Sequence, residues 1–244
     1  MRGQDEKAVL TRGQSCSCSA GTRRRRFSVG IRDTAAGGTT SRLVLLLVRR
    51  PGWEAYLPRY LEPWIRCGAR DYHVILPEED GSLDEGRIGG LLRQATGIFI
   101  GGGHTATYHR YYAQGQIATT IRERYRAGVP VGGSSAGALL VPEICRMSPW
   151  DTDSGRAETL PGLGLLADCL VSVHFKSRED EPNIVRAMVE TGTRVAWGID
   201  DNACAVFRAD KFVRAFGEGV YRVEFDDRFG QYSVRDFSSA GSGA

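Results

Sequence analysis

The sequence predicts an α/β fold, a three-layer sandwich in which helices cover both faces of a mostly parallel central sheet. Two observations carry this. From Arg42 onward, apolar runs of strand length alternate with stretches whose apolar residues recur at helical spacing. The first of those runs, LVLLLV at 43–48, is continuously apolar rather than alternating, as a strand buried on both faces requires.

The elements follow in order. After LVLLLV comes WEAYLPRYLEPWIRCG, whose Trp53, Tyr56, Tyr60, Leu61, Trp64 and Ile65 lie near helical spacing, with Gly68 as a stop. DYHVILP reads as a strand, LDEGRIGGLLRQA as a helix and TGIFIGGG as a strand running into a glycine turn. IATTIRERYRAG is a helix closed by Gly128, VPVGG a strand, and SAGALLVPEI the start of another helix. CLVSVHF, EPNIVRAMVETG and RVAWGID continue as strand, helix and strand, with Pro182 in the first turn of the helix. ACAVFRADKFVRAFGEGVYRVEF reads as a closing β-meander.

Length and composition bound the function. A chain of 244 residues fits one buried α/β domain, and 41% hydrophobic with 25% charged residues is ordinary for a globular protein. Residues 1–41 form a basic, Ser/Gly-rich leader, with a first strand expected at Lys7–Leu10 or Phe27–Ile31; residues 42–237 form the domain, and 238–244 a flexible tail. The net charge is only +3, and Arg23–Arg26 sit in that leader as a solvated run, so no nucleic-acid partner is expected. The cysteines, Cys16, Cys18, Cys67, Cys145, Cys169 and Cys204, contain no C-x-x-C pair, and no metal is expected. No apolar run is long enough to span a bilayer or resembles a signal-peptide core, which leads to a cytoplasmic protein with reduced thiols and no membrane partner.

Three features fall where strands of such a sheet end, the edge at which loops and helix N-termini converge on ligands. In VGGSSAGALL the pattern G-x-S-x-G selects Ser135, at a strand-to-helix junction flanked by glycines that permit a sharp, strained turn. In GIFIGGGHT, three glycines end a strand and can bring backbone N–H groups to an oxyanion. His104 follows that turn and could touch substrate. In CLVSVHFKSR, His174 ends a strand and is the only histidine after Ser135; from a neighbouring strand it can reach the serine as general base. His73 and His109 read as packing or surface residues. The carboxylate that such a base needs is best sought at Asp200 or Asp201 in WGIDDNA, with Asp151 and Asp153 as alternatives.

GIFIGGGHT, PVGGSSAGA, VHFKSR and GIDDNA, in this order, resemble the cyanophycinase and dipeptidase E family of serine peptidases, over roughly residues 42–216. The resemblance implies a class I glutamine amidotransferase-like fold with serine in place of the cysteine nucleophile. It implies Ser135 as nucleophile, His174 as base, Asp201 where cyanophycinase-like members carry glutamate, and the N–H groups of Gly103 and Ala136 as the oxyanion hole. It implies a small peptide substrate containing aspartate, no cofactor, and a homodimer as a candidate assembly. Arg178 is retained from the pattern around the base, and its guanidinium fork suits a substrate carboxylate. The chain departs from the cyanophycinase pattern at Ser172, which replaces an aspartate, and at Asp180 and Asn183, which occupy later basic positions. Two other classes fit less of the sequence. One is a non-catalytic binding or regulatory protein that keeps the elbow without an effective acid. The other is an esterase of the α/β-hydrolase type, which would need a histidine later in the chain than His174.

Overall fold

The structure, a computed structural model, describes residues 9–12, 40–66 and 68–238, the first four as backbone. The chain order is β1 (Val9–Arg12), β2 (Arg42–Leu46), α1 (Trp53–Arg66), β3 (Asp71–Ile75), α2 (Glu85–Gln94), β4 (Gly97–Ile100), α3 (Thr105–Tyr112) and α4 (Gly115–Arg126). It continues with β5 (Val131–Ser134), α5 (Ala136–Leu139), β6 (Ile144–Met147), β7 (Glu158–Pro161), β8 (Leu170–Val173), α6 (Glu181–Thr191) and β9 (Val195–Ile199). β10 (Cys204–Arg208), β11 (Lys211–Phe216), β12 (Val220–Asp226) and β13 (Gln231–Asp236) complete it.

The central sheet has the order β11-β10-β1-β5-β4-β2-β3. β1, β5, β4, β2 and β3 run parallel, and β10 and β11 add an antiparallel edge. The two-residue alternation of a strand sorts β2 between layers. Leu43, Leu45 and Leu47 pack with Leu61 and Trp64 of α1 on one face. Val44, Leu46 and Val48 join Ile88 and Leu92 of α2 and Ile117 and Ile121 of α4 in the cluster on the other. The three layers and the mostly parallel sheet are those the sequence predicts. β1 overlaps the first of the two expected leader strands; the other, Phe27–Ile31, lies outside the described residues, as do Cys16, Cys18, Cys67 and residues 239–244. Ser238, at the start of the expected tail, accepts hydrogen bonds through its hydroxyl from the Gly219 and Val220 N–H groups.

Three sequence expectations need correction. SAGALLVPEI does not continue as a helix: α5 is four residues long and the chain turns into β6, because Pro142 supplies no N–H and its ring disfavours helical backbone before it. β8 and β9 do not join the central sheet. They pair with each other in parallel and, through β12 and β13, form a second sheet of order β13-β12-β9-β8, covered by α6 through Ile184, Ala187 and Met188. The closing meander therefore splits, with β10 and β11 as a hairpin in the central sheet and β12 in the second. The crossing segment carries Gly217 and Gly219 at positive φ, where Cβ atoms would lie 2.1 Å from the Asn202 carbonyl oxygen and 2.5 Å from Asp200 Cβ. Only glycine passes that close.

Candidate active site

Ser135 lies where β5 hands over to α5, with φ 51° and ψ −112°, a conformation side-chain-bearing residues rarely adopt. The flanking glycines are needed for steric reasons. A Cβ on Gly133 would lie 2.3 Å from the Gly137 carbonyl oxygen, and one on Gly137 would lie 2.3 Å from that of Ile100. The Gly137 N–H donates to the Gly101 carbonyl at 3.0 Å, which ties the turn after β4 to the serine elbow. β4 and β5 are parallel neighbours, with Ile100 opposite Gly133, so both turns emerge side by side.

The glycine turn is clamped from two sides. The Gly102 N–H donates to the Tyr60 hydroxyl at 3.0 Å, and the Tyr108 hydroxyl donates to the Gly102 carbonyl at 3.2 Å. A Cβ on Gly102 would come within 3.1 Å of Ser135 Cβ, so the turn lies directly against the serine. With the Gly102 N–H engaged, the Gly103 and Ala136 N–H groups remain without hydrogen-bond partners among the described residues. Neither tyrosine is marked as a site residue by a sequence pattern.

His174 follows β8, at φ 58°, and its N–H donates to the Ile199 carbonyl at 2.9 Å, continuing the β8–β9 ladder. It does not reach the serine from an adjacent strand, as the sequence suggests. α5 packs between β5 and β8 and brings the two strand ends together across separate sheets. Ser135 Oγ and His174 Nε2 are 3.2 Å apart, and both residues are 5% exposed. The next residue, Phe175, lies flat on β9, where a Cβ on Gly198 would fall 2.4 Å from its ring.

The four candidate carboxylates separate cleanly. Asp201 Oδ1 is 2.9 Å from His174 Nδ1. Asp200 accepts instead from the Lys176 N–H at 2.9 Å and the Ser177 N–H at 3.4 Å, fixing the backbone just past the histidine. Asp151 accepts from Ser148 and, at 3.1 Å, from Arg178 Nη1. Asp153 meets His104 Nε2 at 3.1 Å. Because a carboxylate only accepts, Nδ1 of His174 carries the proton and Nε2 is left to accept from Ser135. Burial holds the His174 pKa below the ordinary imidazole value, and the Arg178 guanidinium adds to this against the opposing pull of Asp201. His109 is buried, with Nε2 donating to the Pro161 carbonyl at 2.7 Å. His73 lies 3.3 Å from Asp71 on β3.

The positions where the chain departs from the cyanophycinase pattern are bonded to one another. Ser172 Oγ donates to Asp180 Oδ2 at 2.6 Å, and Asn183 Nδ2 donates to Asp180 Oδ1 at 3.0 Å. Among the described residues, no group of three or more His, Cys, Asp and Glu side chains could hold a metal ion, and no helix is long and apolar enough to cross a membrane.

The fold is class I glutamine amidotransferase-like, and the chain is a serine hydrolase of the peptidase type. Residues 76–215 match the family model described as Peptidase family S51, more than half of the chain, and the protein belongs to that family. Its relatives include a cyanophycinase of Geminocystis herdmanii (strain PCC 6308), 26% identical over 199 residues, 77% of this chain and 71% of the relative. A cyanophycinase of Synechococcus elongatus is 27% identical over 161 residues, 64% of this chain but 50% of the relative. The crystal structure of a peptidase from an acI-B1 actinobacterium superposes with a TM-score of 0.63 at 16% identity, covering 97% of this chain and 92% of that one.

Proposed function

We propose that the protein hydrolyses short peptides through a Ser135–His174–Asp201 triad. The observation that carries this reading is the unbroken chain of contacts, 3.2 Å from Ser135 Oγ to His174 Nε2 and 2.9 Å from His174 Nδ1 to Asp201. It starts at a serine whose backbone is held in the strained conformation of a nucleophile elbow. Nε2 takes the serine proton as Oγ attacks the scissile carbonyl, then returns it to the leaving amine, while Asp201 stabilises the imidazolium. The Gly103 and Ala136 N–H groups bind the oxygen that becomes negative in the tetrahedral intermediate.

Arg178 and His104 are the proposed substrate-binding groups, His104 through its exposed ring face, since Nε2 meets Asp153 and Nδ1 meets Thr107. Only Nη1 of Arg178 is engaged by a described residue, so the rest of its fork is available to a carboxylate such as an aspartyl side chain. Short aspartyl peptides fit this better than cyanophycin, since Ser172, Asp180 and Asn183 satisfy each other instead of offering cations. The test is a screen of α- and β-linked Asp-X and other short peptides against wild type and Ser135→Ala. Turnover by wild type should fall by several orders of magnitude in the variant, with an unchanged circular dichroism spectrum. Equal activity in the two proteins would refute the assignment of Ser135.

A further inference from the structure

Resting on the hydrolytic reading above, we propose that residues 148–156 form a strap across the substrate cleft, anchored at Asp151 and latched at Asp153, which limits the length of peptide admitted. The segment bridges the chain just past His174 and the chain just past the glycine turn. Asp151 Oδ1 meets Arg178 Nη1 at 3.1 Å, and Arg178 is one helical turn past the base, its N–H donating to the His174 carbonyl at 2.9 Å. Two residues further on, Asp153 Oδ1 meets His104 Nε2 at 3.1 Å. His104 immediately follows the glycine turn that lies against Ser135.

The two attachments differ in strength. Asp151 is 9% exposed in its side chain, and its other oxygen accepts from the Ser148 N–H at 3.2 Å and the Ser148 hydroxyl at 2.7 Å, a capping box that closes the turn Pro149–Asp151. Asp153 and His104 are 90% and 40% exposed in their side chains, and pairs so open to water contribute little. His104 Nδ1 is 2.8 Å from Thr107 Oγ1, a contact that orients the ring with Nε2 toward Asp153. Ser135 and His174 are both 5% exposed, and the weaker of the two attachments is the side that yields to a longer substrate. A short peptide fits beneath the closed strap, whereas a longer one must pull Asp153 away from His104.

The experiment compares wild type with Asp153→Ala on a peptide series from two to six residues, alongside labelling by ethyl fluorophosphonate and by a rhodamine-linked fluorophosphonate. The variant should gain about tenfold in kcat/KM on the longest peptides and in labelling by the bulky probe. Dipeptide turnover and labelling by the small probe should stay near wild type. If both proteins cleave dipeptides and share one length dependence and one ratio of labelling rates, the strap is overturned and the hydrolytic reading stands. If neither protein cleaves any peptide or takes either label, the hydrolytic reading fails and the strap fails with it.

Discussion

Asp201 Oδ1 and His174 Nδ1 meet at 2.9 Å although they come from the ends of two parallel strands, and the carboxylate is 43% exposed where the imidazole is 6%. The acid is thus held by the turn that carries it rather than by burial. Asp201→Asn can present an amide N–H to Nδ1 and favour the wrong tautomer. We expect kcat/KM to drop about 10²- to 10⁴-fold. Asp201→Glu, which keeps an acceptor and adds one methylene, should retain more activity than the asparagine variant on the same peptide; the reverse order would remove Asp201 from the triad.

Arg178 acts on the base as well as on the proposed substrate. In the proposed mechanism the neutral form of His174 is the active one, and its pKa lies below the ordinary 6.5. Activity should therefore persist below the pH at which an ordinary histidine would protonate, and be lost only as pH falls through the depressed value. Arg178→Gln removes one of the two causes of that depression, so the acid limb of kcat/KM should move to higher pH. KM for acidic peptides should rise as well. An acid limb that stays put would mean the guanidinium does not act on the imidazole.

Gly137 and Gly90 make a matched pair for testing the elbow. At Gly137 an added Cβ meets backbone at 2.3 Å, while at Gly90, within α2, it meets nothing within 4 Å. Gly137→Ala should cost about 3 kcal/mol and displace the serine, seen as a lower Tm and loss of probe labelling. Gly90→Ala should raise stability by about 0.5–1 kcal/mol and leave labelling intact.

Asp180 is a buried acid whose pKa is raised, chiefly by burial, against the lowering effect of hydrogen bonds from Ser172 and Asn183. A folded-state pKa above the unfolded value means that the charged form weighs against folding, so stability is lost as pH rises from the unfolded pKa through the folded one. Asp180→Asn removes this dependence. Its Tm relative to wild type should improve as pH rises from 4 to 7; a difference that shrinks over that range would contradict the burial account.

The parts of the site that local chemistry dictates were legible in the chain. A serine between glycines at a strand-to-helix junction, a glycine turn after an apolar strand and a histidine at a strand end are each written in a few adjacent residues. The residue pattern alone left the acid open between Asp200 and Asp201, neighbours in one turn, and only the family resemblance singled out Asp201. Which of them faces the imidazole depends on the β8–β9 register and on the close passage of Gly219 behind Asp200. The second sheet escaped for a related reason: LVSV and VAWGI are as apolar as the strands of the central sheet, and nothing in so short a run says which ladder it joins. The helix from Thr105 to Tyr112 was hidden by its composition, since TATYHRYY has no clear apolar stripe, yet Tyr108 and Tyr112 are fully buried.

Ser135 and His174, with φ of 51° and 58°, both hold backbone angles that suit glycine. A residue without a side chain would relieve each of them, at the cost of the hydroxyl or the imidazole. The two groups proposed to do the chemistry are thus among the places where the fold is least comfortable, and the packed strands, glycine contacts and tyrosine clamps around them supply the compensating rigidity. Exchanging either residue for glycine would relax the backbone and remove the functional group together, so stability and the proposed chemistry pull in opposite directions at these two positions.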